Sequence, residues 1–365
     1  MSSEVLIAVV QLALEPGAVE RNLRHVEDMT AQAAREHEPD VILLPDCMTS
    51  PITYSREMLG IARQVDGAPY QLLRRLARTY SCWVGGGFVA VRGTDARATY
   101  VLAEPNGATH LHDRDQPTMW EANWFKGSYD DGFASTPLGP VGLVSGLEWI
   151  RTRTVQRLAG WVRLLLGGSY WWSYPDWGLT RRLFMTREHD HVVQLAREAP
   201  ARMARLVGAP AAIAQQVGQV RGRMPLAPFL PYRTELAGES QIVERDGRPL
   251  ARLSASDGEG YVAARVRVAD PEPLERRPAG FWLPTVPASF HWAWWLQGLH
   301  GRIRYARRRR AEGFPWQAWE RRQLYPYNPP DLPTDERPER RVLLGASGSD
   351  PMPAPVERRE EAALR

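Results

Sequence analysis

The chain has 365 residues, of which 44% are hydrophobic, and this is enough for a large globular core. No apolar run approaches the roughly 20 residues of a membrane span, and the N-terminus has no basic leader, so we predict a folded cytoplasmic protein. Two cysteines, Cys47 and Cys82, are too few for a disulfide framework or a structural zinc site, and we expect neither a metal nor a cofactor.

The net charge of +4 is unevenly distributed along the chain. Lys126 is the single lysine, so any chemistry that needs a lysine has to use it. The segment 300–322 carries eight arginines against two glutamates, which makes the basicity a local patch.

The first elements predict an α/β fold. Residues 5–12 and 41–44 are nearly continuous apolar runs, as in buried strands, and the helical spacing of 22–35 lies between them. Asp46 follows the second strand, at the carboxyl end where α/β proteins place their chemistry.

A helix is predicted over 71–80, followed by strands over 82–91 and 99–103. From His112 to Trp124 the pattern becomes polar, irregular and rich in aromatic residues. A loop of this kind indicates the wall of a site rather than a plain connection.

The segment from Gly139 to Trp172 predicts a strand, a tight turn, a helix and a second strand that ends before Gly167. In α/β enzymes such a turn exposes a nucleophile at a strand end, next to helix amides that face developing negative charge. Here the turn holds Gly146, which has no side chain.

The later elements are a helix over 189–206, a short strand over 211–216, a hairpin over 240–253 and a strand over 261–268. Residues 219–232 are predicted to form an insertion rich in proline and arginine. We divide the chain into a domain over 1–270, an extension rich in tryptophan and arginine over 271–328, and a disordered tail over 329–365.

Several local strings make the chain resemble the nitrilase superfamily of carbon-nitrogen hydrolases over residues 5–268. They are the opening strand with ILLPD, the loop HDRDQPTMWEANW, Gly142 and Glu148 around Gly146, and the hairpin GESQIVERDGRPLAR. The resemblance implies an αββα sandwich that pairs through its helices into a homo-oligomer.

The resemblance also implies a glutamate base, a lysine that stabilises the oxyanion and a cysteine nucleophile. By position these three become Asp46, Arg114 and Gly146, while the supporting second glutamate of the family is retained as Glu121. Because all three positions are substituted, we predict a pseudoenzyme that does not hydrolyse carbon-nitrogen bonds and instead binds a small polar ligand or a partner subunit.

The substitutions weaken each part of the chemistry. Aspartate is one methylene shorter than glutamate, the planar guanidinium does not replace a compact ammonium, and glycine supplies no nucleophile. An active amidase or nitrilase with a rebuilt site remains the alternative, with Ser145 or a water as nucleophile. We interpret Cys47 as a core residue and Lys126 as a solvated loop residue.

A pocket without a nucleophile can still bind a ligand. We expect it to contain Glu121, Glu148, Trp120 and Trp172. Complementing the dipole at the N-terminus of the following helix is the alternative for Glu148, and core packing explains the tryptophans equally well. The expected ligand is a small polar molecule with an amide, nitrile or carboxylate-like group.

The extension places three tryptophans before six arginines on a predicted helix over 288–310. We favour docking of this helix on the protein itself or on a second subunit. Contact with a membrane surface, which would make the protein a dimeric platform at the periphery of a bilayer, stays open, and we do not expect nucleic acid.

Overall fold

A computed structural model describes residues 3–173, 186–311 and 313–315 of the chain. The tail predicted over 329–365 lies outside these described residues. The described residues contain five helices, and none of these five is long and apolar enough to cross a bilayer. The helices are α1 (Val19–His37), α2 (Ala68–Tyr80), α3 (Thr152–Leu158), α4 (Thr186–Val207) and α5 (Ala288–Ala311).

The described strands form two sheets of seven strands each. The first sheet has the order β14-β1-β2-β4-β5-β6, with β3 beside β4. Parallel pairing of β1 with β2 and of β2 with β4 brings the carboxyl ends of these strands to one edge. Its strands are β1 (Ser3–Gln11), β2 (Val41–Leu43), β3 (Arg63–Gln64), β4 (Trp83–Arg92), β5 (Asp95–Ala103), β6 (Thr109–Asp113) and β14 (Gly260–Val268).

The second sheet has the order β11-β12-β10-β9-β8-β7, with β13 beside β12. Of the residues 219–232 predicted to form an insertion, 219–223 and 231–232 belong to an antiparallel pair of strands. The strands of this sheet are β7 (Phe133–Thr136), β8 (Gly139–Ser145), β9 (Leu164–Ser169), β10 (Ala211–Gln215), β11 (Val217–Arg223), β12 (Pro231–Val243) and β13 (Pro249–Ser254).

Each sheet buries both of its faces, which explains the continuous apolar runs in the sequence. In β1, Ile7 and Val9 pack against the second sheet, while Ala8 and Val10 pack against the layer of α1 and α2. The second sheet packs its other face against α3 and α4. This is the predicted αββα sandwich, and the fold class is confirmed.

The extension over 271–328 is described through Pro315, except for residue 312, and its helix α5 packs on the sandwich. Tyr305 is 2% exposed, and its hydroxyl accepts a hydrogen bond from the main-chain N–H of Ala96 at 2.8 Å. A Cβ added at Gly301 would lie 2.8 Å from Ala122 Cβ, so only glycine allows this close approach.

Candidate functional site

Asp46 is buried just beyond the end of β2, between the two sheets. Its Oδ1 accepts a hydrogen bond from the main-chain N–H of Cys47 at 2.8 Å, and its main-chain carbonyl accepts one from Gln216 at 2.8 Å. A Cβ at Gly87 would lie 2.3 Å from Asp46 Oδ1, so the neighbouring strand needs glycine there. The carboxylate is therefore held in a fixed position by its surroundings.

Arg114 follows β6 and is 2% exposed. Its Nη2 donates to Asp46 Oδ2, its Nη1 to Glu121 Oε2 at 2.6 Å, and its Nε to Ser145 Oγ at 3.1 Å. Burial alone lowers the pKa of this guanidinium, but the charges of Asp46 and Glu121 outweigh it and hold the pKa well above its usual value. The side chain is a permanent buried cation with three polar partners.

Glu121 lies in a 3-10 turn over Met119–Asn123, whose first residues form a capping box with Thr118. Glu121 Oε2 also accepts the Thr118 main-chain N–H at 2.6 Å, and Oε1 accepts the hydroxyl of Tyr170. The three buried side chains of Asp46, Arg114 and Glu121 thus carry two formal negative charges and one positive charge.

Gly146 begins a second 3-10 turn, over Gly146–Ile150, directly after β8. Its φ of +59° lies in the left-handed region that favours glycine. A Cβ at this position would lie 2.6 Å from Arg114 Cζ and 2.7 Å from Arg114 Nε. The guanidinium of Arg114 therefore fills the space that a side chain at position 146 would need.

Ser145 directs a hydroxyl toward this arrangement, and it is completely buried. Its Oγ donates to Asp46 Oδ2 at 2.6 Å while accepting from Arg114. A hydroxyl paired with a carboxylate is the geometry of an activated nucleophile, but here the same oxygen is also engaged by a guanidinium.

Glu148 belongs to the same turn, and its side chain does not line the cavity where we expected it. Its carboxylate accepts the main-chain N–H groups of Ser145 and Asp115, both at 2.9 Å. It also meets Arg157 at 3.0 Å and the Nε2 of His112 at 2.7 Å. Glu148 therefore joins the loop that carries Arg114 to the turn that carries Gly146.

His112 is buried between two carboxylates, those of Glu148 and Asp130. Burial lowers its pKa and so does Arg157, but the two carboxylates prevail and raise the pKa to about 9. The pKa of Glu148 is lowered in turn: burial opposes the shift, and Arg157 and His112 outweigh it. His112 and Glu148, together with Asp130 and Arg157, form a charge network beneath the site.

Cys47 is buried, as predicted, in the core beneath the first sheet. It nevertheless adjoins the charges of the site, because Asp46 and Cys47 lie beyond the end of β2 and strand alternation does not separate them. Burial first, and then the charge of Asp46, raise the pKa of the thiol well above its usual value. Lys126 is 44% exposed and pairs with Asp95 at 3.0 Å.

A cavity of about 310 Å³ opens above Arg114 and Gly146. Trp120 and Trp172 line it with ring centroids 4.1 Å apart, and Glu121 reaches its floor. Neither Asp46 nor Glu148 lines it, and neither cysteine does. The rest of the wall is mainly apolar: Leu147, Val192, Leu195, Met224, Phe290 and Ala293.

Tyr170 is a site residue that the sequence did not reveal to us. It follows β9 directly, so the rule that singled out Asp46, the carboxyl end of a strand, could have found it. The structure thus brings together Asp46, Arg114, Glu121 and Gly146, with Ser145 and Tyr170. Within the described ranges there is no group of three or more His, Cys, Asp or Glu side chains that could hold a metal ion.

Residues 6–144 match the family model of carbon-nitrogen hydrolases. No curated protein matches the chain significantly. Three solved structures illustrate the structural likeness. A carbon-nitrogen hydrolase from Helicobacter pylori G27 has a TM-score of 0.57 and 15% identity, over 72% of this chain and 89% of that one.

XC1258 from Xanthomonas campestris, a member of the same superfamily with an arsenic adduct in its active site, has a TM-score of 0.55 and 14% identity. The likeness covers 73% of this chain and 91% of that one. A mutant of an amidase from Nesterenkonia sp. AN1, with acrylamide added at its active-site cysteine, has a TM-score of 0.51 and 18% identity, over 71% and 92% of the two chains. The sequence-based resemblance is confirmed, and identities this low carry the fold alone.

Proposed function

For this chain with the carbon-nitrogen hydrolase fold of the nitrilase superfamily, we propose a function in binding a small ligand without hydrolysis. One observation carries the proposal: the guanidinium of Arg114 occupies the space over Gly146. By resemblance, position 146 is where the family has its nucleophile. In this chain that space holds a cation that is already paired with carboxylates.

The chemistry of the site supports the same conclusion. Hydrolysis through a thioester needs a thiolate, a free base and a free oxyanion donor. Asp46 and Glu121 both accept hydrogen bonds from Arg114, so base and cation neutralise each other in the resting protein. In a mutant of the Nesterenkonia amidase acrylamide is added at the active-site cysteine, whereas Cys47 and Cys82 are buried and outside this cavity.

The cavity favours a ligand with an apolar body and one neutral polar group. The charged side chains at its floor, Arg114 and Glu121, are paired with each other, so the floor offers no free cation for a carboxylate. Among the described residues, the indole N–H groups of Trp171 and Trp172 are buried without a hydrogen-bond partner. Both side chains line the cavity, and a donor of this kind pairs with the acceptor atom of an amide or a nitrile.

The binding test is thermal unfolding with a panel of hydrophobic amides and nitriles. We expect at least one compound to raise the Tm of the wild type through mass action. Replacement of Ala293 by phenylalanine fills the cavity and should abolish the shift, while Ala306→Phe, on the same helix but outside this cavity, should retain it. Equal shifts in both variants would place the ligand elsewhere.

The catalytic test measures turnover of the same compounds. We expect none from the wild type, none from Gly146→Cys because Arg114 fills the space, and measurable turnover from Asp46→Glu combined with Arg114→Lys and Gly146→Cys. Turnover by the wild type would refute the proposal.

One observation favours a second candidate, an active hydrolase that uses Ser145. The hydroxyl of Ser145 donates to Asp46 at 2.6 Å, which is a pairing of nucleophile and base. Any wild-type turnover that disappears in Ser145→Ala would support it. Turnover that survives in Ser145→Ala would exclude this nucleophile.

A further inference from the structure

The outward face of α5 carries a continuous apolar stripe. Trp292 is 69% exposed and Trp295 is 56% exposed. Most of the tryptophans that line the cavity, in contrast, are buried. At about 100° per residue, the members of the stripe fall within an arc of about 100°. They are Trp292, Trp295, Leu296, Leu299 and Ile303.

The opposite face of α5 is fixed to the sandwich by Gly301 and Tyr305, as described above. Arg308 extends this attachment, because its guanidinium lies 4.1 Å from the ring centroid of Trp124. The stripe is therefore presented by a helix that is held in place, and it is not the unburied remainder of a loose segment.

Positive charge accompanies the stripe. The sequence of α5 contains six arginines and no acidic residue. Arg302, Arg307 and Arg310 are exposed next to the apolar residues. A cleft of about 760 Å³ runs along one side of the helix, and Lys126, Arg153 and Arg309 line it together with Arg302 and Arg310.

We propose that α5 is a membrane-surface helix that inserts its apolar stripe into the interface of an anionic lipid bilayer. Tryptophan and aliphatic side chains flanked by arginines are the composition of helices that lie in this interface. The exposed arginines of α5 supply charges complementary to acidic headgroups, each worth about fivefold in affinity.

A second copy of this chain fits the stripe less well. Two helices paired through their stripes would bring arginines of both copies together, and α5 offers no carboxylate to offset their repulsion. The proposal stands apart from the cavity and its ligand, because neither tryptophan of the stripe lines that cavity.

The test is vesicle sedimentation of the full chain. Vesicles of phosphatidylcholine with about one quarter phosphatidylserine should bind the protein, vesicles of phosphatidylcholine alone should bind it weakly, and about 0.5 M NaCl should release it. Removal of α5 would expose the surface under it, so the variants change only its outward side chains.

The charge variant replaces Arg302, Arg307 and Arg310 by glutamine and should bind on the order of 100-fold more weakly. Its control replaces three exposed arginines of α1 and α2 by glutamine and should bind like the wild type. These arginines are Arg24, Arg35 and Arg78.

The apolar variant replaces Trp292 and Trp295 by serine and should bind at least about tenfold more weakly. Its control is Trp161→Ser, a tryptophan that is also 69% exposed but lies elsewhere, and this variant should bind normally. A wild type that stays in the supernatant, or variants that bind like their controls, would overturn the proposal. So would a dimer in solution that only the apolar variant dissociates, since the stripe would then be a subunit interface.

Discussion

Arg114 and Gly146 each restrict which side chain the other position can hold. The guanidinium lies so close to the glycine that a Cβ there would approach Arg114 Cζ to 2.6 Å, a distance that real Cβ atoms essentially never show. The glycine in turn has a backbone conformation that other residues rarely adopt. A change at either position therefore has consequences that depend on the other.

Gly146→Ala should lower the free energy of unfolding by about 3 kcal/mol, from backbone strain of about 1–2 kcal/mol and the clash with Arg114. In an Arg114→Lys background the clash is relieved and the cost should fall by about 1 kcal/mol or more. Chemical denaturation of the four proteins in the cycle measures this coupling.

The control is Gly160→Ala. Gly160 also has a positive φ, +75°, but a Cβ there would meet nothing within 4 Å. It should show only the backbone cost of about 1–2 kcal/mol, unchanged by Arg114→Lys. Additive costs for the Gly146 and Arg114 changes would contradict the close contact.

The buried charges predict a second non-additive effect. Arg114→Met leaves Asp46 and Glu121 without their cation and should destabilise the protein by about 3–5 kcal/mol. Asp46→Asn and Glu121→Gln remove the stranded charges, so the triple variant should be more stable than Arg114→Met alone. Urea denaturation of both variants compares them. A triple variant less stable than the single one would show that hydrogen bonding, not charge balance, holds the three side chains.

Sequence patterns predicted the layers of the fold because a strand buried on both faces is apolar throughout. They also predicted the meeting of Asp46, Arg114, Glu121 and Gly146, through the resemblance and the rule about strand ends. The direction of the Glu148 side chain, which does not line the cavity, was not predictable in this way. Its partners His112 and Arg157 come from other parts of the chain, and only the folded structure brings them together.

The end of β9 shows why Tyr170 was missed. Gly167 and Gly168 suggested that the strand stops, yet β9 continues to Ser169. A Cβ at Gly168 would lie 2.4 Å from the main-chain nitrogen of Asp46, so this glycine permits close approach of the two sheets and does not break the strand. A pattern along one segment does not show such a contact.

The cysteines should be inert in the folded protein. Cys47 is completely buried and its thiol pKa is raised, by burial and then by Asp46, so little thiolate is present at about pH 8. Iodoacetamide should modify neither Cys47 nor Cys82 until denaturant is added, as mass spectrometry can show. The exposed control Ser135→Cys should react at once. Modification of Cys47 in the native wild type would show that the site opens.

The charged His112 predicts how stability depends on pH. Its folded pKa of about 9 exceeds the ordinary value of 6.5, so its contribution is complete below about pH 6.5 and is lost as the pH rises through about 9. The loss is on the order of 3 kcal/mol.

His112→Gln lacks this ionisation, so wild type should lose more stability than the variant between about pH 6.5 and 9. Denaturation of both proteins across this range measures the difference, because every other titrating group is common to both. Parallel profiles would mean that His112 is neutral in the folded protein.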